Sequence, residues 1–231
     1  MISKRLEMIV GLVPACDCAA DIGTDHGYVP ISLAKRGDVK KIIGMDIRKM
    51  PLEKARENIK SEGLEDKIEL RLSDGAAALK EGEADVIVIS GMGGSLITKI
   101  MREREDVFKK ASLLVLSPQS EIAQFRRTIL LNGYDIKEES VLEEDGKYYF
   151  LMTVSFDDVL HDDYSDEELT YGRAGLIKKD PVLREYIKRD IRLSEDVLKK
   201  LEGKTGLSAD EKRSEQKKKI CIAERAIERY K

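Results

Sequence analysis

Three aspartates occupy matching places in the chain, each at the close of a short apolar run: Asp21 in "CDCAADIG", Asp46 in "KKIIGMDI" and Asp74 in "LSDG" after "KIELR". A carboxylate there can hold vicinal hydroxyls, accept from an amine or face a cation. Open parallel sheets bind their ligands in the crevice beyond the carboxyl ends of the strands, so three such acids converge on one site. A single aspartate after a strand is commonly a turn residue or a helix cap. Three in succession are not explained that way.

The first acid opens the stretch "DIGTDHGYVP", residues 21–30. A dinucleotide-binding loop wants Gly-x-Gly-x-x-Gly, so that a pyrophosphate can approach the backbone and a helix N-terminus. The corresponding positions are Gly23, Asp25 and Tyr28. Two of the three glycines are absent and a carboxylate would face the pyrophosphate, which disfavours a nicotinamide or flavin dinucleotide. S-adenosyl-L-methionine makes other demands. It carries a sulfonium and an ammonium instead of phosphates, and its ribose hydroxyls need a carboxylate, so an acidic rim around a glycine turn suits it.

S-adenosyl-L-methionine is therefore the expected cofactor. Asp21, Gly23, Thr24, Gly27 and Tyr28 form its loop, Asp46 beside Ile47 holds the ribose, and Asp74 beside Gly75 accepts from the adenine amino group. Ser90, in "ISGMGG", completes the expected contacts. Asp25 has two readings: an N-cap for a helix starting near Gly27, or attraction to the cofactor's cationic end. His26 has no cysteine near it and only one other histidine in the chain, His161. It reads as a neutral wall of the pocket or as packing on the loop, and no metal site is expected. Arg5, alone in an apolar helical pattern, either pairs with the cofactor's carboxylate or is exposed.

These residues need a sheet to bring them together. From residue 15 onward, short apolar runs alternate with amphipathic stretches, the pattern of a parallel sheet covered by helices on both faces. Helices are expected from about Gly27 to Arg36, Met50 to Glu62 and Ser120 to Asn132. "YDIKEESVLEE" and "KYYFLMTVSF" are joined at Asp145 and Gly146, a dipeptide suited to a tight hairpin. The expectation is a class I methyltransferase arrangement, a Rossmann-like α/β fold with a seven-stranded, mostly parallel sheet ending in an antiparallel hairpin.

Beyond the acidic "DDVLHDDYSDEE" the pattern is purely helical. Asp180 before Pro181 reads as a helix start, with Leu183, Ile187, Ile191, Leu198 and Leu201 on one stripe. Ser208 with Glu211 reads as a capping box for a second helix seamed by Gln216, Ile220, Ala223, Ile227 and Tyr230. The chain thus divides into residues 1–160 and a helical hairpin, a coiled coil, at 161–231. Residues 171–231 carry a net +7 and the remainder −10. A basic segment of that kind suits a polyanion, with Lys217, Lys218 and Lys219 the clearest phosphate contacts, or is a solvated helix face. Cys16, Cys18 and Cys221 form no Cys-x-x-Cys pair and read as buried or idle thiols. No apolar run approaches the ~18 residues of a membrane helix, and a cytoplasmic location is expected.

Together, "DIGTDHGYVP", "MDI", "SDG", "ISGMGG" and "LSPQ" resemble the bacterial TrmK family of tRNA adenine N1-methyltransferases, which modify the adenosine at tRNA position 22. The likeness runs from "SKRL" at Ser3–Leu6 through "GKYYFLM" to "DPVLREYI". An aspartate inside the glycine loop departs from the commoner methyltransferase pattern and is typical of this family. The resemblance implies a class I domain dependent on S-adenosyl-L-methionine, a C-terminal coiled-coil domain, and a tRNA substrate converted to 1-methyladenosine.

Adenine N1 carries a lone pair in the ring plane, so direct displacement needs alignment more than a general base. Enzymes acting on exocyclic amines place Asn-Pro-Pro-Tyr or a relative after the fourth strand; this chain has "SGMGG". Asp25, Gly91, Met92 and Gly93 are the expected catalytic positions, where oxygens and close backbone approach favour a cationic product. Ser117 and Gln119 in "LSPQ" are further oxygen candidates. Two other functions stay open: a methyltransferase for proteins or small molecules whose hairpin forms a homodimer, and a cofactor-binding RNA module without turnover.

Overall fold

The computed structural model describes residues 2–231. Seven strands form one sheet: β1 (Cys16–Ile22), β2 (Val39–Asp46), β3 (Ile68–Leu72), β4 (Val86–Ser90), β5 (Leu113–Ser117), β6 (Tyr134–Glu144) and β7 (Lys147–Phe156). Their order is 3-2-1-4-5-7-6. β1 to β5 pair in parallel, and their centre is apolar on both faces: Ala19, Ala20, Ile42, Ile43, Ile87, Val88 and Leu114 are wholly buried. Such runs have no polar face to give to solvent and must be covered twice.

The covering helices are α1 (Lys4–Leu12), α2 (Tyr28–Arg36), α3 (Lys49–Ser61), α4 (Gly94–Glu103), α5 (Glu105–Phe108) and α6 (Ile122–Leu130). At the hairpin, Asp145 and Gly146 both take left-handed backbone, with φ of 52° and 74°. That is the turn whose twist matches two antiparallel strands, and it folds β7 back between β5 and β6. β7 runs antiparallel to β5, with Leu114 opposite Val154 and Leu116 opposite Met152.

Two compact units emerge. One holds the chain through Glu138 together with Tyr149–Asp162; the other holds Glu139–Tyr148, the tip of the hairpin, with Asp163–Lys231. A cut near residue 160 therefore leaves ten residues of the second unit behind. Within that unit lie α7 (Asp166–Tyr171), α8 (Arg173–Ile177), α9 (Pro181–Lys200) and α10 (Leu207–Glu228). The Asp180 carboxylate accepts from the N–H groups of Val182 and Leu183 and starts α9 as expected.

α10 differs from expectation at its start. Its cap is Gly206, with no side-chain bond, and Ser208 is already inside the helix. A capping residue needs non-helical backbone, so Ser208 cannot form the capping box with Glu211. The working capping box is upstream, where Ser165 and Glu168 satisfy each other's N–H groups at α7. α9 buries Leu183, Ile187 and Ser194, and α10 buries Gln216, Ala223 and Ala226, whereas Ile191, Leu198, Ile220 and Ile227 are only half-buried. Among the described residues no helix is long and apolar enough to cross a membrane.

Candidate active site

The carboxyl ends of β1 to β5 surround a cavity of about 620 Å³. Asp21 sits at its floor, 3% exposed, between Gly44 of β2 and Val88 of β4. Burial pushes its carboxyl up to about 7; the Thr24 hydroxyl opposes this and the like charge of Asp46 adds to it. The chain then turns over the end of β2, because the N–H groups of Gly23 and Thr24 both donate to the Met45 carbonyl, at 2.7 and 2.8 Å. Gly23 has φ of +81°, and a Cβ there would lie 2.3 Å from the Met92 methyl. The left-handed backbone is what favours glycine here, since the Met92 methyl is the end of a flexible side chain.

Asp46, 5% exposed, is held from two sides. One carboxylate oxygen accepts from the Asp25 N–H at 3.3 Å, and the other from the Arg48 N–H at 2.9 Å and Arg48 Nε at 3.5 Å. Asp74 is exposed at the rim beside Gly75, and the Ser73 N–H donates to the Asp46 carbonyl at 2.9 Å, which ties this loop to β2. Tyr28, Ile47 and Leu96 line the same cavity with their side chains substantially exposed.

On the other side, Ser90 and Ser117 are register partners at the ends of β4 and β5. The loops that follow are latched: the Gln119 N–H donates to the Met92 carbonyl at 2.9 Å, and the Gly94 N–H to the Ser120 carbonyl at 3.0 Å. Ser90, Gly91 and Met92 line the cavity. Gly93, expected to be catalytic, does not. It caps α4, and a Cβ on it would meet the Ser120 hydroxyl at 2.7 Å, so it and Gly94 serve the packing of two loops.

Arg5 reaches the cavity from α1, which Ser3 caps by accepting from the Leu6 N–H. Its guanidinium lies 5.2 Å from the Tyr149 ring centroid, and its Nη1 is buried without a hydrogen-bond partner among the described residues. A buried N–H of a cation left unmet is costly, and a ligand carboxylate would satisfy it.

The glycine loop corrects two expectations. Asp25 is not the N-cap of α2. That position is Gly27, in left-handed backbone with no side-chain cap, and Asp25 stands two residues too early. Its own φ is +50°, its N–H is spent on Asp46, and its carboxylate lies 3.6 Å from both Arg48 Nη2 and His26 Nε2. It does line the cavity, whereas His26 and Gly27 do not. The His26 ring tilts against Tyr28 and its carbonyl accepts from Asn58, while Gly27 faces α3, where a Cβ would meet that of Ala55 at 3.1 Å. Sequence reasoning missed Arg48 as a neighbour of the site. The signal available was its place two residues after Asp46.

Comparison with known proteins agrees with this fold. Residues 2–152 match a family model described as a methyltransferase domain. The tRNA (adenine(22)-N(1))-methyltransferase of Bacillus subtilis is 33% identical over 157 residues, 68% of this chain and 66% of the relative. The crystal structure of the B. subtilis m1A22 tRNA methyltransferase TrmK superposes with a TM-score of 0.87 at 26% identity, over 98% of this chain and 99% of that one. Streptococcus pneumoniae Sp1610 in complex with S-adenosyl-L-methionine superposes with a TM-score of 0.87 at 30% identity, over 98% of this chain and all of that one. The chain belongs to the TrmK family. In this TrmK family member the methyltransferase match ends within β7, and the likeness to the solved structures continues through the helical unit.

Proposed function

We propose that this chain transfers the methyl group of S-adenosyl-L-methionine to N1 of the adenosine at position 22 of tRNA. The observation that carries this reading is the convergence of Asp46, Asp74 and Arg5 on the same cleft as the Ser90–Met92 loop. The residues present fit the methyl donor: Asp46 for the ribose hydroxyls, Asp74 for the adenine amino group, and the unmet Nη1 of Arg5 for the carboxylate. At Gly23 the loop presents backbone rather than a side chain to the cleft where the methyl donor would be held. When bound, S-adenosyl-L-methionine supplies an electrophilic methyl group.

The protein's part is mostly alignment. Adenine N1 attacks with its own lone pair, so no side chain has to remove a proton. Gly91, without a side chain and with φ of +80°, leaves room for a flat base beside the Ser90–Met92 backbone. Asp25 and the carbonyls of that loop favour the positive charge that arrives on the base. Because N1 is covered while its Watson–Crick edge is paired, the adenosine enters turned out of its stack. The helical segment holds the tRNA backbone. Lys217, Lys218 and Lys219 are all exposed on α10, and Lys219 also pairs with Glu215 at 2.6 Å.

The test is methyl transfer from labelled S-adenosyl-L-methionine to unmodified tRNA, followed by nucleoside analysis. The expected product is 1-methyladenosine at position 22, lost when that adenosine is replaced by guanosine. Label recovered in protein, or in another nucleoside, would overturn the reading.

A further inference from the structure

We propose that Gln119 selects and orients the target adenine, its side-chain carbonyl accepting from the N6 amine and its side-chain NH₂ donating to N7. The proposal rests on N1 methylation of adenosine as read above. Gln119 stands two residues past the end of β5, and its N–H bond to the Met92 carbonyl pins it against the loop after β4. Its side chain turns back into the cleft, with Nε2 3.9 Å from the point where a Cβ on Gly91 would stand. The amide therefore borders the space that the missing side chain of Gly91 leaves open. Among the described residues it makes no hydrogen bond, and the residue is exposed.

The other polar groups around the cleft do not suit the task. The Ser117 hydroxyl is 1% exposed and does not line the cavity. Arg5 has donors only and cannot accept from an amine. Asp25 lies between Arg48 and His26. Ser90 offers a single hydroxyl, which accepts or donates and so cannot tell an amine from a carbonyl. An amide presents one acceptor and one donor in a fixed plane. That pattern matches adenine N6 and N7, and it leaves N1 free. Guanine shows two acceptors at the same edge, so the Gln119 carbonyl would face its O6 and be repelled.

The same bond assists the reaction. As the N1 lone pair forms the new N–C bond, the C–S bond breaks and its electron pair stays on sulfur. The positive charge passes to the amidine formed by N1, C6 and N6, and N6 keeps both protons. Those protons become more acidic, so a carbonyl accepting from N6–H binds the transition state more strongly than the substrate.

The test uses the full-length enzyme and synthetic tRNA bearing adenosine, purine riboside (no N6) or 7-deazaadenosine (no N7) at the target position. Gln119→Ala should lower kcat/KM on adenosine about 10- to 100-fold, the scale of one or two lost hydrogen bonds, while calorimetry finds unchanged S-adenosyl-L-methionine affinity. The preference of the parent for adenosine over purine riboside should shrink by a similar factor in Gln119→Ala. Gln119→Glu, which keeps an acceptor and loses the donor, should keep that preference and become indifferent to 7-deazaadenosine. An identical adenosine to purine ratio in parent and Gln119→Ala would overturn the proposal, as would an unchanged rate. Failure of the parent to form 1-methyladenosine on natural tRNA would be a different result, overturning the underlying reading and the proposal with it.

Discussion

Asp21 in the sheet unit and Glu167 and Glu168 in the helical unit are all less than a tenth exposed, but Asp21 lies deeper and their surroundings differ completely. Asp21 faces the Thr24 hydroxyl and the like charge of Asp46, and its carboxyl is pushed up to about 7. Burial alone would raise Glu168 too. The Ser165 N–H, Arg229 and Arg173 outweigh it and hold that carboxyl down at about 2. Arg225 and Arg229 both reach Glu167 at 3.2 Å. A buried acid met by arginines belongs to the scaffold, since removing either partner leaves a stranded charge. A buried acid without a cation costs stability and persists at a binding site.

The sharpest way to break this contrast is pH. Asp21 holds its proton more tightly when folded than its ordinary value of 3.8 allows. Its contribution is therefore fully present below pH 4 and is lost as pH rises through about 7, on the order of 4 kcal/mol across the window. Asn at this position keeps shape without charge, so denaturant titrations of Asp21→Asn should show a flatter stability curve between pH 4 and 7. An unaltered curve would mean that Asp21 is not the group responsible. Glu168 has the opposite sign: its contribution is present above pH 4.5 and fades as pH falls toward 2.

Asp46→Ala comes next in size. The aspartate organises the Asp25 and Arg48 N–H groups and is proposed to hold the ribose, so its loss should weaken S-adenosyl-L-methionine binding by roughly 1.5 to 3 kcal/mol, the scale for hydrogen bonds to a charged acceptor. Calorimetry reads this directly, and tRNA affinity measured in parallel should not move.

The smallest effect expected is that of Arg229→Ala. Its guanidinium answers both buried glutamates but is itself about a third exposed, so the loss should be about 1 to 2 kcal/mol of stability. Thermal unfolding should show it, with cofactor affinity intact. A weakened cofactor would mean that the two units do not divide the work as their charges suggest.

Much of this was legible because it is local. Alternating apolar and amphipathic runs, the Asp145–Gly146 turn and the Asp180–Pro181 helix start depend on a few consecutive residues, and all appear where expected. The convergence of Asp21, Asp46 and Asp74 also followed from the chain, because parallel strands joined by helices must send their carboxyl ends to one edge.

What depended on distance along the chain did not. Asp25 looked like a cap because its type suits one; the tight turn of Gly23 and Thr24 onto Met45 instead directs its N–H to Asp46. Gly93 looked like part of the base site, and only the approach of Ser120 shows it to be packing. The buried face of α10 falls on Gln216, Ala223 and Ala226, rather than on Ile220 and Ile227, because it is set by what packs against the helix. Arg5 beside Gly91, β7 between β5 and β6, and the hairpin tip within the helical unit join segments remote in sequence. Local preference acts over a turn or a strand, so the chain by itself determined the elements and the acids at their ends. Which loops press together, and which buried charges meet a partner, was decided by how those elements pack.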